Sequence, residues 1–293
     1  MELVVFRAHP VPLDGLVALP EELDGSQGDN RLSQDHCQIQ ADNDWQAIQC
    51  WLAEFEDSPQ THRNYRKEAE RLLLWSIKER RRPISSLLRE DFQAYQVFLA
   101  NPQPEAYWCG PRSPRHSAAW KPFQGPLRES SQRQSLIVVN ALLSYWVDAG
   151  YIRGNPLSLI RRRNKTLTPS THDVVAPERF LDQKTWEHLK DYIAALPQGT
   201  RREIEQYERV RFLFHFLFLL APRVSEVASH SMNSFREFRG KWWWFVEGKG
   251  GKRAKVPVND EMLDALMRYR RFLDLDDLPG EDDRSPIFRS IKG

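Results

Sequence analysis

Cysteine is scarce in this chain: Cys37, Cys50 and Cys109 are the only three in 293 residues, an odd number at unrelated spacings. That pattern excludes a disulfide framework and paired zinc ligands and leaves reduced structural thiols as the default. Long apolar runs are missing as well. No stretch reaches the roughly 18 apolar residues that a membrane span needs. The opening MELVVFRAHP has no basic flank leading into an apolar signal core. The expectation is a soluble, cytoplasmic protein with no membrane partner. No internal repeat is visible.

Net charge is nearly absent too, at +2, but the total hides a division along the chain. Residues 1–60 hold two basic residues, Arg7 and Arg31, against twelve acidic ones, which leaves forty basic against twenty-eight acidic in the remainder. A basic body suggests a polyanion partner, because bound lysines and arginines release counterions from phosphates. The length, with 41% hydrophobic residues, allows a real core and favours two domains.

Residues 1–43 mix Pro, Gly, Asp and Gln without a sustained period and read as a poorly ordered or loosely attached acidic arm. Helical spacing begins after Asp44, with Trp45, Ile48, Leu52 and Phe55, and Ser58-Pro59 stops it. Thr61 is placed to cap a second helix whose apolar stripe is Tyr65, Ala69, Leu72, Leu73 and Ile77. The other face of that helix carries Arg63, Arg66, Lys67 and Arg71. A third helix is expected over about 89–100. A long Pro-rich loop over 101–131 interleaves Trp108, Trp120 and Phe123 with Arg112, Arg115, Lys121 and Arg128, and loops of this length are usually functional or disordered. A fourth helix over about 131–149 ends at Gly150. The basic run Arg161, Arg162, Arg163, Lys165 opens a linker placed at 166–176. The helical domain is therefore 44–165 and the second domain 177–293.

The second domain starts with a helix capped by Asp182. A helix near Arg202 follows, whose second half, residues 212–220, is apolar on nearly every side and so belongs at a domain centre. Trp242–Val246 and Lys255–Val258 flank Gly248-Lys249-Gly250-Gly251 and read as a β-hairpin with basic residues at its tip. Asn259 caps a last helix through Arg271, and an acidic loop over 274–283 follows it.

Two elements carry chemistry. In Ala221-Pro222-Arg223-Val224-Ser225-Glu226, an arginine at a helix junction offers planar donors that match two phosphate oxygens. The simpler reading is an Arg223–Glu226 pair one helical turn apart. In the tip Gly248–Arg253, glycines permit close backbone approach and Lys249, Lys252 and Arg253 supply cations; a solvated turn is the other reading. The tip lacks the spacing of a phosphate-binding Walker loop. The spacings of Cys109 and His116 do not fit zinc, and neither a metal nor a cofactor is expected. Trp242, Trp243 and Trp244 read as strand packing rather than a base-stacking platform, and His215 as a satisfied core residue.

Taken in order, these pieces resemble the tyrosine recombinase or phage integrase family, of the type that includes the Xer recombinases, over about residues 45–293. Thr61–Tyr65 and Ala149–Pro156 are similar to parts of its core-binding domain. Ala221–Glu226 is similar to its Gly-Leu-Arg-Xaa-Ser-Glu box, with Ala221-Pro222 in place of Gly-Leu. Glu247–Lys252 followed by Val256-Pro257-Val258 is similar to its hairpin lysine segment. The resemblance implies a mainly α fold with a small β-hairpin or sheet, in which a helical SAM-like core-binding domain precedes the amino-terminal part of the catalytic domain. It implies that Arg223 grips the scissile phosphate, that Lys249 protonates the departing 5′ hydroxyl and that Glu226 supports the site. The expected DNA contacts are Arg63, Arg66, Lys67, Arg71, Arg112, Arg115, Arg161, Arg162, Arg163, Lys165, Lys252 and Arg253. The expected partner is double-stranded recombination-site or attachment-site DNA, bound by a homo-oligomer. The family's His-Xaa-Xaa-Arg box and tyrosine nucleophile would lie downstream of residues 285–289, so the expectation is a fragment that binds DNA without completing strand transfer. The alternatives are a noncatalytic DNA-binding protein or regulator on the same domains, and a helical protein-interaction module.

Overall fold

The computed structural model describes residues 9–15, 19–33, 35, 37–163, 181–248 and 250–289, with only the backbone described over 161–163. The fold is mainly α with one three-stranded antiparallel sheet. It divides into two units, Met1–Thr171 and His172–Gly293. The linker expected at 166–176 lies outside the described residues.

In the first unit a single turn, α1 (Glu21–Asp24), precedes α2 (Asp44–Ala53) and α3 (Pro59–Trp75). Asn43 caps α2 by accepting from the Gln46 N–H. The second helix starts two residues before Thr61, because Pro59 occupies the first helical position, where its missing N–H costs nothing. Ser58 Oγ donates to Thr61 Oγ1 at 2.8 Å instead of capping the backbone. Then come α4 (Arg89–Ala100), the short α5 (Glu105–Trp108), α6 (Glu129–Asp148) and α7 (Leu157–Arg163). The apolar stripes of α2, α3, α4 and α6 converge on Ile48, Leu72, Leu73, Phe92, Tyr95, Leu99, Val139, Leu143 and Trp146, all buried.

Two segments differ from the sequence reading. Within 9–43, the expected loose arm, Leu13, Leu23 and Ala41 are buried in the bundle core. The Leu13 N–H donates to Glu70 Oε1 at 2.7 Å, and the Asn30 N–H to the Ser85 carbonyl at 2.9 Å. Asp44, fully buried, accepts from the Ser85 N–H and the Tyr151 hydroxyl, each at 2.9 Å. Gly25, with φ +88°, sits against that carboxylate where a Cβ would come within 2.2 Å of it. These anchors are single residues without a period, which is why helical spacing does not reveal them. The long loop is also built in. Trp108 and Phe123 are buried, and the backbone pairs between Cys109 and Phe123. Two large rings removed from water offset the ordering of a Pro-rich segment.

In the second unit, Asp182 caps α8 (Gln183–Ala194) through the Thr185 N–H, and a Thr200–Glu203 capping box opens α9 (Arg201–Leu220). Helix α9 is not enclosed on all sides. Phe212, His215, Phe216 and Leu220 are buried, whereas Leu213, Phe214, Phe218 and Leu219 are half-buried and Leu217 is exposed. His215 is satisfied, its Nδ1 lying 2.7 Å from the Arg211 carbonyl. After α10 (Val224–Ser229), β1 (Phe235–Phe238), β2 (Lys241–Gly248) and β3 (Lys252–Pro257) form the sheet in the order β1-β2-β3. The expected hairpin is β2–β3; β1 is additional. Helix α11 (Asp260–Phe272) closes the core with Met262, Leu266 and Tyr269. The acidic loop that follows is not simply solvated, since Asp283 pairs with the buried Arg270 at 2.6 Å. Among the described residues no helix is long and apolar enough to cross a membrane.

Candidate nucleic-acid interface

Residues 63, 66, 67, 70 and 71 fall three and four apart, so α3 presents them on one face. The loop over 111–128 stands opposite and closes a groove of about 760 Å³ in the first unit. Eight cations line it: Arg63, Arg66, Lys67, Arg71, Arg112, Arg115, Lys121 and Arg128, with Glu70 the one carboxylate. Lys121 and Arg128 join the residues expected from the sequence because the loop folds back onto α3.

The eight divide by their bonding. Arg71 is buried: its Nε donates to the Pro122 carbonyl at 2.9 Å, its Nη1 to Glu68 at 3.1 Å, and its guanidinium lies 4.3 Å from the Phe123 ring centre. Arg115 donates to both Glu70 oxygens, at 2.6 and 2.9 Å, and to Asp14 at 2.7 Å. Partial burial pushes the Asp14 carboxyl up, and the Arg115 hydrogen bond and charge outweigh it, so the net shift is downward. Where the sequence reading makes Arg71 and Arg115 phosphate contacts, the structure bonds Nε and Nη1 of Arg71 and all three side-chain nitrogens of Arg115 to internal acceptors. They fasten the loop and residues 13–14 to α3. Arg63, Lys67, Arg112 and Arg128 are exposed, with Arg66 and Lys121 partly so. Lys67 still reaches Glu68 at 2.9 Å and Arg66 reaches Asp14 at 3.4 Å, contacts that leave the cations at the groove surface.

In the second unit the arginine box and the hairpin meet. Arg223 precedes α10, and its backbone N–H and Nη1 both donate to Glu226, at 2.8 and 2.6 Å. These two bonds, the backbone one foremost, hold the Glu226 carboxyl below its usual range. The one-turn pair is therefore present, yet 72% of the Arg223 side chain remains in solvent. Gly248 lies against the pair: a Cβ there would come within 3.0 Å of Glu226 Oε1 and 3.6 Å of Arg223 Nη1. His230 ties the two elements together, with Nδ1 2.7 Å from the Glu226 carbonyl and Nε2 accepting from the Glu247 N–H at 2.9 Å. An acceptor role for Nε2 places the proton on Nδ1. The sequence reading missed His230, and no motif around it signals the role.

Lys252 and Arg253 are exposed, and Arg253 reaches Glu247 at 3.3 Å. Lys249 and Lys165 lie outside the described residues, as do the side chains of Arg161, Arg162 and Arg163. Tyr269, the one tyrosine after the hairpin, is buried and stacked on Phe212 at 4.5 Å, and burial pushes its phenol up. Compared with known proteins, the chain matches no family model and no curated sequence.

Proposed function

We propose that the first unit binds double-stranded DNA through the groove between α3 and the loop over 111–128. The observation that carries this reading is the pairing in that groove of two internally bonded arginines with six cations at its surface. A rigid wall of this kind holds permanent charges where a phosphate backbone can use them without first desolvating a buried ion. The finer reading is a SAM-like core-binding domain followed by the amino-terminal part of a tyrosine-recombinase catalytic domain, acting on DNA as an oligomer. In it Arg223, oriented by Glu226, takes the scissile phosphate, and Lys249 delivers the proton to the leaving 5′ oxygen. The approach of Gly248 to the Arg223–Glu226 pair supports it, since backbone contact there brings the residue before Lys249 to the arginine box. The burial of Tyr269 argues against that side chain as a nucleophile and leaves the choice between this reading and a noncatalytic DNA-binding protein on the same domains untouched.

Duplex binding measured against salt tests the proposal. If each surface cation meets one phosphate, the log–log slope is about −5, from about −0.9 per phosphate on B-DNA. Arg63→Gln with Lys67→Gln should reduce its magnitude by about 2. Affinity independent of salt, or no binding at low salt, refutes the groove as a DNA site.

A further inference from the structure

Antiparallel register sorts the sheet into two faces. Phe235, Trp244 and Val246 enter the core, while Trp243 and Phe245 alternate to the other side, opposite Arg236, Pro257 and Lys255. Phe238, 43% exposed, lies on the same outer side, and all three outer rings stand outside the core cluster. Cations lie over them. The Lys255 ammonium is 4.7 Å from the Trp243 ring centre and 4.8 Å from that of Phe238. The Arg239 guanidinium is 5.2 Å from the Phe238 ring centre and that of Arg236 is 5.9 Å from Phe245. The one outward carboxylate, Glu247, is occupied by Arg253.

We infer that this outer sheet face binds single-stranded nucleic acid, with unpaired bases stacking on Trp243 and Phe245 and with Arg236, Arg239 and Lys255 meeting the backbone. Two features select that ligand. The charge is one-sided once Glu247 and Arg253 neutralise each other, which matches a polyanion. The rings give flat apolar faces that a polyanion of carboxylates has no use for and that a base does. Spacing separates a single strand from a duplex. Trp243 and Phe245 are two residues apart on one strand, which puts their rings roughly 7 Å apart. Bases in a duplex repeat every ~3.4 Å along a strand and cover each other's faces. Only an extended strand presents successive bases at the wider interval. An arriving base displaces the Lys255 ammonium from a ring, and the freed charge moves to the adjoining phosphate.

This site is independent of the duplex groove, and its test reads separately. Fluorescence anisotropy of the full chain is measured with labelled oligothymidylate, oligouridylate, a blunt duplex of the same length and polyglutamate. Trp243→Ala with Phe245→Ala should weaken binding of the single strand by about tenfold or more, given the usual worth of base–aromatic stacking, and leave duplex affinity within about twofold. Trp243→Phe should keep most of the affinity. Tighter binding of either oligonucleotide identifies DNA or RNA as the source and supports the site. If the double alanine variant does not fold, Lys255→Gln with Arg236→Gln decides. Each should lower the single-strand salt slope by about 0.7. Unchanged single-strand affinity in a folded double alanine variant, an unchanged slope in the glutamine variant, an equal loss for duplex, or polyglutamate bound as tightly as oligothymidylate overturns the inference.

Discussion

Replacing Arg115 by glutamine separates the cations that build the groove from those proposed to face DNA. Glu70 is 2% exposed and accepts from the Leu13 N–H and from both arms of Arg115. Without the guanidinium, a buried carboxylate keeps one backbone donor and Asp14 loses its closest partner. Breaking a fully buried pair from one side costs about 3–5 kcal/mol. Here the Arg115 side chain is 23% exposed, so water reaches part of the network and about 2–3 kcal/mol is the better figure. In a unit of this size that lowers the Tm by roughly 5–10 °C. Urea and thermal denaturation measure it, alongside duplex titrations at several salt concentrations. The salt slope should change by less than about half of one phosphate's share. Glu70→Gln added to Arg115→Gln should recover part of the loss, because the stranded charge is gone. Unchanged stability together with a slope reduced by about 0.9 would show that Arg115 meets phosphate and that the division by internal bonding is wrong.

Two further predictions concern single positions. Ala221 ends α9 in the left-handed region, at φ 46° and ψ 46°, where an L-residue is strained by about 1–2 kcal/mol and glycine is not. After glycine's extra chain entropy, Ala221→Gly should stabilise the second unit by about 0.5–1 kcal/mol, and a lowered Tm refutes it. Burial raises the Asp44 carboxyl to about 6 despite its donors from Ser85 and Tyr151. A folded pKa above the ordinary aspartate value favours the fold while the group is protonated, below about pH 4, and that advantage is lost as pH rises to about 6. Relative to Asp44→Asn, the wild type should lose roughly 2–3 kcal/mol across that window in urea unfolding. A difference between the two that does not vary with pH refutes the assignment.

The helices were largely legible because they repeat: α4 and α11 fall where their apolar spacing puts them, and Asn259 and Asp182 cap as their positions suggest. The start of α3 was displaced because Pro59 reads as a stop while its fixed φ suits a first helical residue. Strand β1, the four residues Phe235–Phe238, is too short to show a period. The enclosure expected for α9 followed from composition, but Leu217 stands exposed, and no local pattern tells which face of an all-apolar helix finds a partner. In the candidate site, the meeting of the Arg223 box with Gly248 was implied only by the family resemblance, since neither segment's own pattern points to the other. The bond from His230 to the Glu247 N–H was invisible because it joins two backbone positions through one side chain.

Charge was the least legible property, for a reason that bears on function. Read along the chain, an acidic leader precedes a basic body, and the leader looks like something the body must carry. In the fold, Asp14 from that leader accepts from Arg115 and lies 3.4 Å from Arg66, so the leader supplies counter-charge to the groove's inner wall. Glu68 and Glu70 do the same from within α3, bonding Arg71 and Arg115. These three carboxylates neutralise the cations that would otherwise repel one another as the loop closes on the helix. Each internal pair also fixes the rung on which an exposed neighbour stands: Arg71 lies one turn beyond Lys67, and Arg115 shares the loop with Arg112. A net charge near zero is therefore compatible with a strongly cationic groove. Glu68 and Glu70 are buried, where low solvent exposure strengthens their pairing, Asp14 pairs from an exposed position, and the cations at the groove surface are the ones proposed to meet phosphate.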